Sequence, residues 1–186
     1  MLAGGAGTRL GGSKASVRLA GRPLIAYPLA ALAAAGLDPV VVAKPQTELP
    51  ELGAEVLREA IATRHPLAGI VTALRELEAP VVVCACDMPF LTAALAELLA
   101  GVDASLAVPE ARGRTQPLLA RYTPAVLGQL ERALAAQEPL RGAVAGLKPR
   151  IVPERELVRL GDPARMLANV NTPSDLAAAE AELASS

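Results

Sequence analysis

Residues 2–14 read Leu2-Ala3-Gly4-Gly5-Ala6-Gly7-Thr8-Arg9-Leu10-Gly11-Gly12-Ser13-Lys14 and place five glycines within nine positions. Glycine lets the backbone approach a ligand closely and lets successive N–H groups converge on an anion. Arg9 and Lys14 add two positive charges at fixed places in that run. Glycines and cations so arranged describe a cradle for a polyphosphate. Two familiar phosphate motifs do not fit. The pattern G-x-x-x-x-G-K-[ST] fails because Ser13 precedes Lys14. The pattern G-x-G-x-x-G fails because Gly5-Ala6-Gly7-Thr8-Arg9 is followed by Leu10, and the first acidic residue is as far away as Asp38.

Two further places carry donors suited to the same chemistry. Asp87 follows the apolar run 81–86 directly, and Pro89 prevents a strand from continuing. A lone carboxylate at a strand tip suits Mg²⁺, which takes few protein oxygens and leaves the rest to water and phosphate. A helix-capping role is less apt, since Leu91-Thr92 offers a closer cap. The third place is Asn169-Val170-Asn171-Thr172-Pro173. Residues two apart on an extended segment face the same way, so both amides would address one site.

The elements that must position these residues follow from punctuation and period. Helices are expected over 24–35, 67–77, from Leu91-Thr92 to 100, 123–136 and from Thr172 to about 183, where Thr172 and Asp175 form a capping pair. Short apolar strands are expected over 40–43, 81–86, 104–108, 117–122 and 151–152. Strands that are apolar on both faces and alternate with helices imply a mostly parallel open sheet in a three-layer α/β/α domain spanning 1–186. Ligands of such sheets sit beyond the carboxyl ends of the strands.

Composition excludes several functions. Of 186 residues, 52% are hydrophobic and 20% charged, which is incompatible with disorder. Lys+Arg 18 against Asp+Glu 19 gives no field for a polyanion, and one Phe, two Tyr and no Trp give no platform for stacked bases, so nucleic acid is not an expected partner. Cys84 and Cys86 are the only cysteines and His65 the only histidine, too few for a zinc site, and the thiols read as reduced core residues of a cytoplasmic protein. No apolar run is long enough to span a membrane, and no secretory signal opens the chain.

Together, Leu-Ala-Gly-Gly-x-x-x-Arg-x-Gly-Gly-x-Lys, Cys86-Asp87-Met88-Pro89 and Asn169-Val170-Asn171-Thr172-Pro173 resemble the molybdenum cofactor guanylyltransferases, nucleotidyltransferases with a Rossmann-like fold of the nucleotide-diphospho-sugar transferase type. Pro66-Leu67-Ala68-Gly69 and Gln116-Pro117-Leu118 fit that pattern too. The resemblance implies transfer of GMP from GTP to the phosphate of molybdopterin, with loss of pyrophosphate and with Mg²⁺ as cofactor. It implies nucleotide binding by Leu2, Ala3, Gly4, Lys14, Glu59 and Asp87, with the metal on Asp87; the glycine cradle adds Gly5, and the need to neutralise phosphate charge makes Arg9, Lys14 and Asp87 the expected catalytic residues. It implies acceptor-side roles for Gln116, Asn169 and Asn171, and it admits molybdoenzymes or cofactor chaperones as protein partners. Departures from the pattern are Ala43-Lys44 where members carry asparagine, Glu59 where many carry aspartate, and a first strand reduced to almost nothing before the loop. The same fold allows CTP or a sugar-phosphate acceptor, and a non-catalytic nucleotide or pterin carrier is the reading of another class.

Overall fold

The computed structural model describes residues 1–4, 10, 13–60, 63 and 65–185. Its sheet is assembled around residues 1–3. Leu2 bridges Val42 on one side and Ala85 on the other, both in parallel. The Leu2 and Ala3 N–H groups donate to Cys84 and Val42 carbonyls at 2.8 Å each, and the N–H of Val42 and Cys86 donate back to the Met1 and Leu2 carbonyls. The first strand expected to be almost missing is therefore short but paired on both edges. Its position is central because two apolar strands flank it and satisfy its backbone groups.

On one side lie β3 (Val40–Ala43) and, parallel to it, β4 (Glu55–Arg58). On the other lies β5 (Val81–Cys84), then β8 (Leu119–Tyr122), β6 (Leu106–Ala111) and β9 (Arg150–Val152). β8 is antiparallel to both β5 and β6, and β9 is parallel to β6. The main strands thus share one direction apart from β8, in keeping with the mostly parallel expectation. Two hairpins hang off this frame. β1 (Arg18–Leu19) pairs β2 (Arg22–Pro23) through Ala20-Gly21, both at positive φ, and β7 (Arg114–Thr115) folds back on β6. A two-residue turn with positive φ at both positions matches strand twist, and Gly21 adopts its φ of 80° without side-chain strain.

Alternation along the strands splits the core in two. Val41, Ala43 and Cys84 face α1 (Ala26–Ala34) and α3 (Ala93–Gly101), through Leu32, Leu95 and Leu99. Val83, Leu106, Val108 and Tyr122 face α2 (Pro66–Leu77), α4 (Leu127–Ala135) and α5 (Leu140–Gly146), through Ile70, Leu74, Leu130 and Val144. The three-layer arrangement follows, with the short helices α6 (Glu154–Leu157) and α7 (Pro163–Met166) on the first face. Cys84 and Cys86 are buried free thiols, and burial pushes them up to about 11 and about 12.

The last helix, α8 (Pro173–Ala184), begins at a capping box in which Thr172 and Asp175 satisfy each other's backbone N–H groups. It packs Ala179 with Leu19, Leu24, Phe90 and Val170 in a small separate cluster. That packing carries the carboxyl end of the chain back to the tip of β5. Elements that were not foreseen are β4, α5, α6, α7 and the two hairpins. β6 also begins two residues later than expected, and the helix expected from 123 opens with a short 3-10 turn, Pro124–Val126, before α4.

Buried Tyr122 of β8 donates its hydroxyl to the Pro117 carbonyl at 2.7 Å, fixing the segment that enters the strand. Tyr122→Phe strands that carbonyl in an apolar setting, so unfolding in urea should show a loss of about 1–3 kcal/mol. An unchanged midpoint would mean that the bond contributes nothing.

Candidate active site

The carboxyl ends of β4, β3, residues 1–3 and β5 open into one cavity of about 620 Å³, within the usual range for a small-molecule site. Going along that edge, Glu59 follows β4, Lys44 follows β3, Gly4 follows the central segment and Asp87 lies just beyond β5. Neighbouring strands are about 4.8 Å apart, so the β4 and β5 ends are separated by roughly 14 Å across three spacings.

At the β5 end, Asp87 is 7% exposed and both of its oxygens are engaged. Lys14 Nζ donates to Oδ2 at 2.7 Å, and Asn169 Nδ2 donates to Oδ1 at 2.9 Å. Lys14 Nζ also donates to Asn171 Oδ1. The Val170 N–H donates to the Asp87 carbonyl at 2.9 Å, docking the extended segment on the strand tip. Alternation along that segment does what its spacing predicts: Asn169 meets Asp87 and Asn171 meets Lys14. The cap of α3 is Thr92, whose hydroxyl accepts from the Leu95 N–H, so Asp87 is not used as a cap. Lys14 lies at the start of a 3-10 turn, Lys14–Ser16, whose buried Ala15 anchors it.

At the β4 end, Glu59 is 5% exposed, and its Oε2 is buried with no hydrogen-bond partner among the described residues. Burial raises its carboxyl above the ordinary value, with the nearby Lys44 charge pulling the other way. A Cβ on Gly4 would lie 3.1 Å from Glu59 Oε1, and one on Gly69 would lie 2.9 Å from Leu2 Cδ2 and 3.3 Å from Glu59 Oε1. The glycine of Pro66-Leu67-Ala68-Gly69 is therefore explained by close packing: it lets the first turn of α2 close on Leu2 and Glu59. Ala68 and Leu67 of the same turn are fully buried.

The remaining wall holds Gln116, fixed by its N–H donating to the Pro109 carbonyl at 2.9 Å, and Arg141 in the first turn of α5. His65, which the sequence suggests is a surface or supporting residue, caps α2 by accepting from the Leu67 N–H at Nδ1, 3.2 Å away, and lines the cavity. That acceptor role places its proton on Nε2. Leu2, Gly4, Lys14, Glu59, Asp87, Gln116, Asn169 and Asn171 are thus gathered around one space, with buried Ala3 in the strand beneath. Gly5 and Arg9 lie outside the described residues. Lys44 and His65 were not among the residues expected to form the site. The rule that ligands gather at strand ends would have found Lys44, because it follows β3 directly.

The described residues contain no cluster of three His, Cys, Asp or Glu side chains able to hold a metal by themselves. The donor set nevertheless fits a hard cation that keeps most of its shell from water and phosphate: Asp87 and the Asn171 amide oxygen are oxygen donors already holding a positive charge, the Lys14 ammonium.

Comparisons with known proteins show the class of protein to which the chain belongs. Residues 1–151 match the MobA-like NTP transferase domain. The chain is 33% identical to a probable molybdenum cofactor guanylyltransferase of Chloroflexus aggregans, covering 98% of this chain and 93% of that one. It is 35% identical to a molybdenum cofactor guanylyltransferase of Acidiphilium cryptum, covering 97% and 92%. The solved structure of molybdopterin-guanine dinucleotide biosynthesis protein A from Archaeoglobus fulgidus superposes with a TM-score of 0.83 at 28% identity, covering 100% of this chain and 97% of that one. A 2-C-methyl-D-erythritol 4-phosphate cytidylyltransferase from Thermus thermophilus superposes at 0.65 with 25% identity, covering 94% and 95%. The chain belongs to the MobA-like NTP transferase family.

Glu59 makes a prediction of its own. Its raised folded-state pKa means that the native chain binds more protons than the unfolded chain between the ordinary glutamate value, ~4.3, and the folded value. Stability should fall as pH rises through that window. Glu59→Gln removes the buried charge, so it should raise the melting temperature at neutral pH, with the advantage shrinking as pH falls toward ~4. A variant less stable than the parent at neutral pH would show that the carboxylate is satisfied in the free protein.

Proposed function

We propose that the chain transfers GMP from GTP to the terminal phosphate of molybdopterin, releasing pyrophosphate and forming the guanine dinucleotide cofactor. The observation that carries this reading is the convergence of Lys14, Asp87, Asn169 and Asn171 at one end of a cavity whose other end offers a buried, unpartnered Glu59. The names of relatives that match nearly the whole chain support guanine as base and the molybdenum cofactor as acceptor.

An oxygen of the acceptor phosphate attacks the α-phosphorus of the nucleotide. A new P–O bond forms there, the bond to the bridging α–β oxygen breaks, and pyrophosphate leaves with the electron pair. The attacking oxygen is already anionic at neutral pH, so no strong general base is required. The protein's work is positioning and charge neutralisation. Mg²⁺ bound at Asp87 would neutralise phosphate charge when present. Lys14 has three N–H donors. Two are used on Asp87 and Asn171, and the third serves a phosphate oxygen. Asn169 holds the Asp87 carboxylate in orientation. Arg9 adds a second cation from the loop. The Leu2-Ala3-Gly4 backbone lies beneath the nucleoside, with Gly4 leaving room for it. Gln116 and Arg141 stand on the acceptor side, where Arg141 suits the pterin's phosphate.

No helix among the described residues is long and apolar enough to cross a membrane. Cytoplasmic location belongs to the same proposal and is supported by two buried free thiols. Delivery of the product to molybdoenzymes or a cofactor chaperone would follow.

Purified protein should release pyrophosphate from GTP with Mg²⁺ and molybdopterin. Release only with CTP, or only with a sugar phosphate as acceptor, would refute the assignment in favour of another member of the fold. Binding of GTP without turnover would favour a carrier. Asp87→Asn should lower turnover about 10²-fold or more while the circular dichroism spectrum is unchanged. Full activity in that variant would exclude Asp87 from the reaction. Lys14→Ala should weaken GTP more than the pterin, and equal weakening of both would contradict its placement at the triphosphate.

A further inference from the structure

The capping box of α8 carries one bond more than a cap requires. Its own bonds run between Thr172 and Asp175: the Thr172 hydroxyl accepts from the Asp175 N–H at 3.2 Å, and Asp175 Oδ2 accepts from the Thr172 N–H at 2.9 Å. The same Oδ2 also accepts from the Asn171 N–H at 2.9 Å, one residue before the cap. The Asn171 N–H contributes most to holding the Asp175 carboxyl below its usual range, ahead of the Thr172 bonds and the charge of Lys14. Asn171 in turn accepts from Lys14 Nζ through its Oδ1, and Lys14 Nζ donates to Asp87 Oδ2 at 2.7 Å. On the other side, the Val170 N–H donates to the Asp87 carbonyl at 2.9 Å. Residues 170 and 171 are therefore pinned between Asp87, beyond β5, and Asp175, in the first turn of α8.

Two bonds decide where the third N–H of Lys14 points. An ammonium is a tetrahedral group with three donors on a flexible four-carbon stem. Held by Asp87 alone, it turns about that one bond and its other N–H groups sweep a cone. Held by Asp87 and by the Asn171 amide oxygen together, it has a single direction left for the third. Asn171 supplies the second hold only while its own backbone is fixed, and its N–H is fixed by Asp175. We propose that Asp175 is a positioning residue for the transfer: it holds Asn171 in place, Asn171 orients the Lys14 ammonium, and the ammonium meets the triphosphate in one orientation. This rests on the placement of Lys14 at the triphosphate in the function proposed above. Asp175 itself touches no substrate. Its removal therefore acts on the triphosphate through Lys14, whereas loss of capping as such acts on the stability of α8.

The test is equilibrium binding of GTP with Mg²⁺ to the parent, Asp175→Ala, Asp175→Asn, Thr172→Val, Lys14→Ala and the variant carrying both Lys14→Ala and Asp175→Ala, with a melting temperature and a circular dichroism spectrum for each. A cap contact is a small part of a domain's stability, so the fold survives its loss. Asp175→Ala should weaken GTP about fivefold, the scale of one hydrogen bond. Asp175→Asn keeps an oxygen acceptor in the same place and should bind GTP within about twofold of the parent. Thr172→Val breaks the other half of the cap and leaves the Asp175–Asn171 bond. It should lower the melting temperature as Asp175→Ala does, yet bind GTP as the parent does. In the Lys14→Ala background, Asp175→Ala should weaken GTP no further. Parental GTP affinity in Asp175→Ala would overturn the inference. Equal weakening by Thr172→Val would overturn it by making the effect one of capping alone, and an undiminished loss in the Lys14→Ala background would separate Asp175 from Lys14. Asp175→Asn as weak as Asp175→Ala would show the charge acting directly, without Asn171. Parental GTP affinity in Lys14→Ala would instead overturn the placement of Lys14 on which the inference rests.

Discussion

A carboxylate taken out of water must be paired and hydrogen-bonded, or it loses its charge or the fold gives way. Asp87 meets that demand with groups drawn from both ends of the chain. Lys14 arrives from 73 residues upstream, and Asn169 from 82 residues downstream. Asn171 closes the arrangement by accepting from Lys14 across a separation of 157 residues. The opening loop, the tip of β5 and the segment before α8 are therefore held together by one buried charge. Removing either partner leaves the other charge uncompensated. In the proposed function, the same carboxylate would be the one that holds the cation.

That arrangement explains why the carboxyl-terminal helix matters to a site built on the other end of the sheet. α8 touches no reacting group. It packs Ala179 against Leu19, Leu24 and Phe90, and its capping box orders Asn171 and Thr172, whose N–H groups both donate to Asp175 Oδ2 at 2.9 Å. Those N–H donors hold the half-buried Asp175 carboxyl below its usual range, the bond from Asn171 being the largest contribution. The amides that face Lys14 and Asp87 are thus preorganised by local capping and a few apolar contacts.

Much of this was legible in the sequence where residue type and spacing alone decide the geometry. Asp87 was legible because a run of apolar residues followed by Asp-Met-Pro ends a strand at one defined place. Asn169 and Asn171 were legible because residues two apart on an extended segment share a face. The ends of the long helices were marked by Pro, Gly and Thr. β4 was not legible: Glu55-Val56-Leu57-Arg58 is short, half-exposed and bounded by charges, and it becomes a strand only because β3 is there to pair with it. α5 was hidden by two glycines in seven residues, which lower helix propensity until packing of Ala143 and Val144 overrides it. The first strand is as short as the sequence implies. What length alone does not show is that hydrogen bonding on both edges gives residues 1–3 the central place. Lys44 stood out in the sequence only as a departure from a pattern, and β4, which sets Glu59 beside it, was not legible.

The site has a polarity that follows from strand order. Lys44 and Glu59 stand at the ends of β3 and β4, and the Lys14–Asp87 pair stands beyond β5, with Gly4 between them. On the function proposed above, a nucleotide along this edge would have its base at one end and its reacting phosphorus at the other. The most direct test is a crystal structure with Mg²⁺ and a GTP analogue that cannot be cleaved between the α- and β-phosphates. The base should lie against Glu59 and Lys44 over Gly4 and Gly69, with the triphosphate beside Lys14 and Asp87. A base lodged beside Asp87 and Asn169, with phosphates at Glu59, would contradict it.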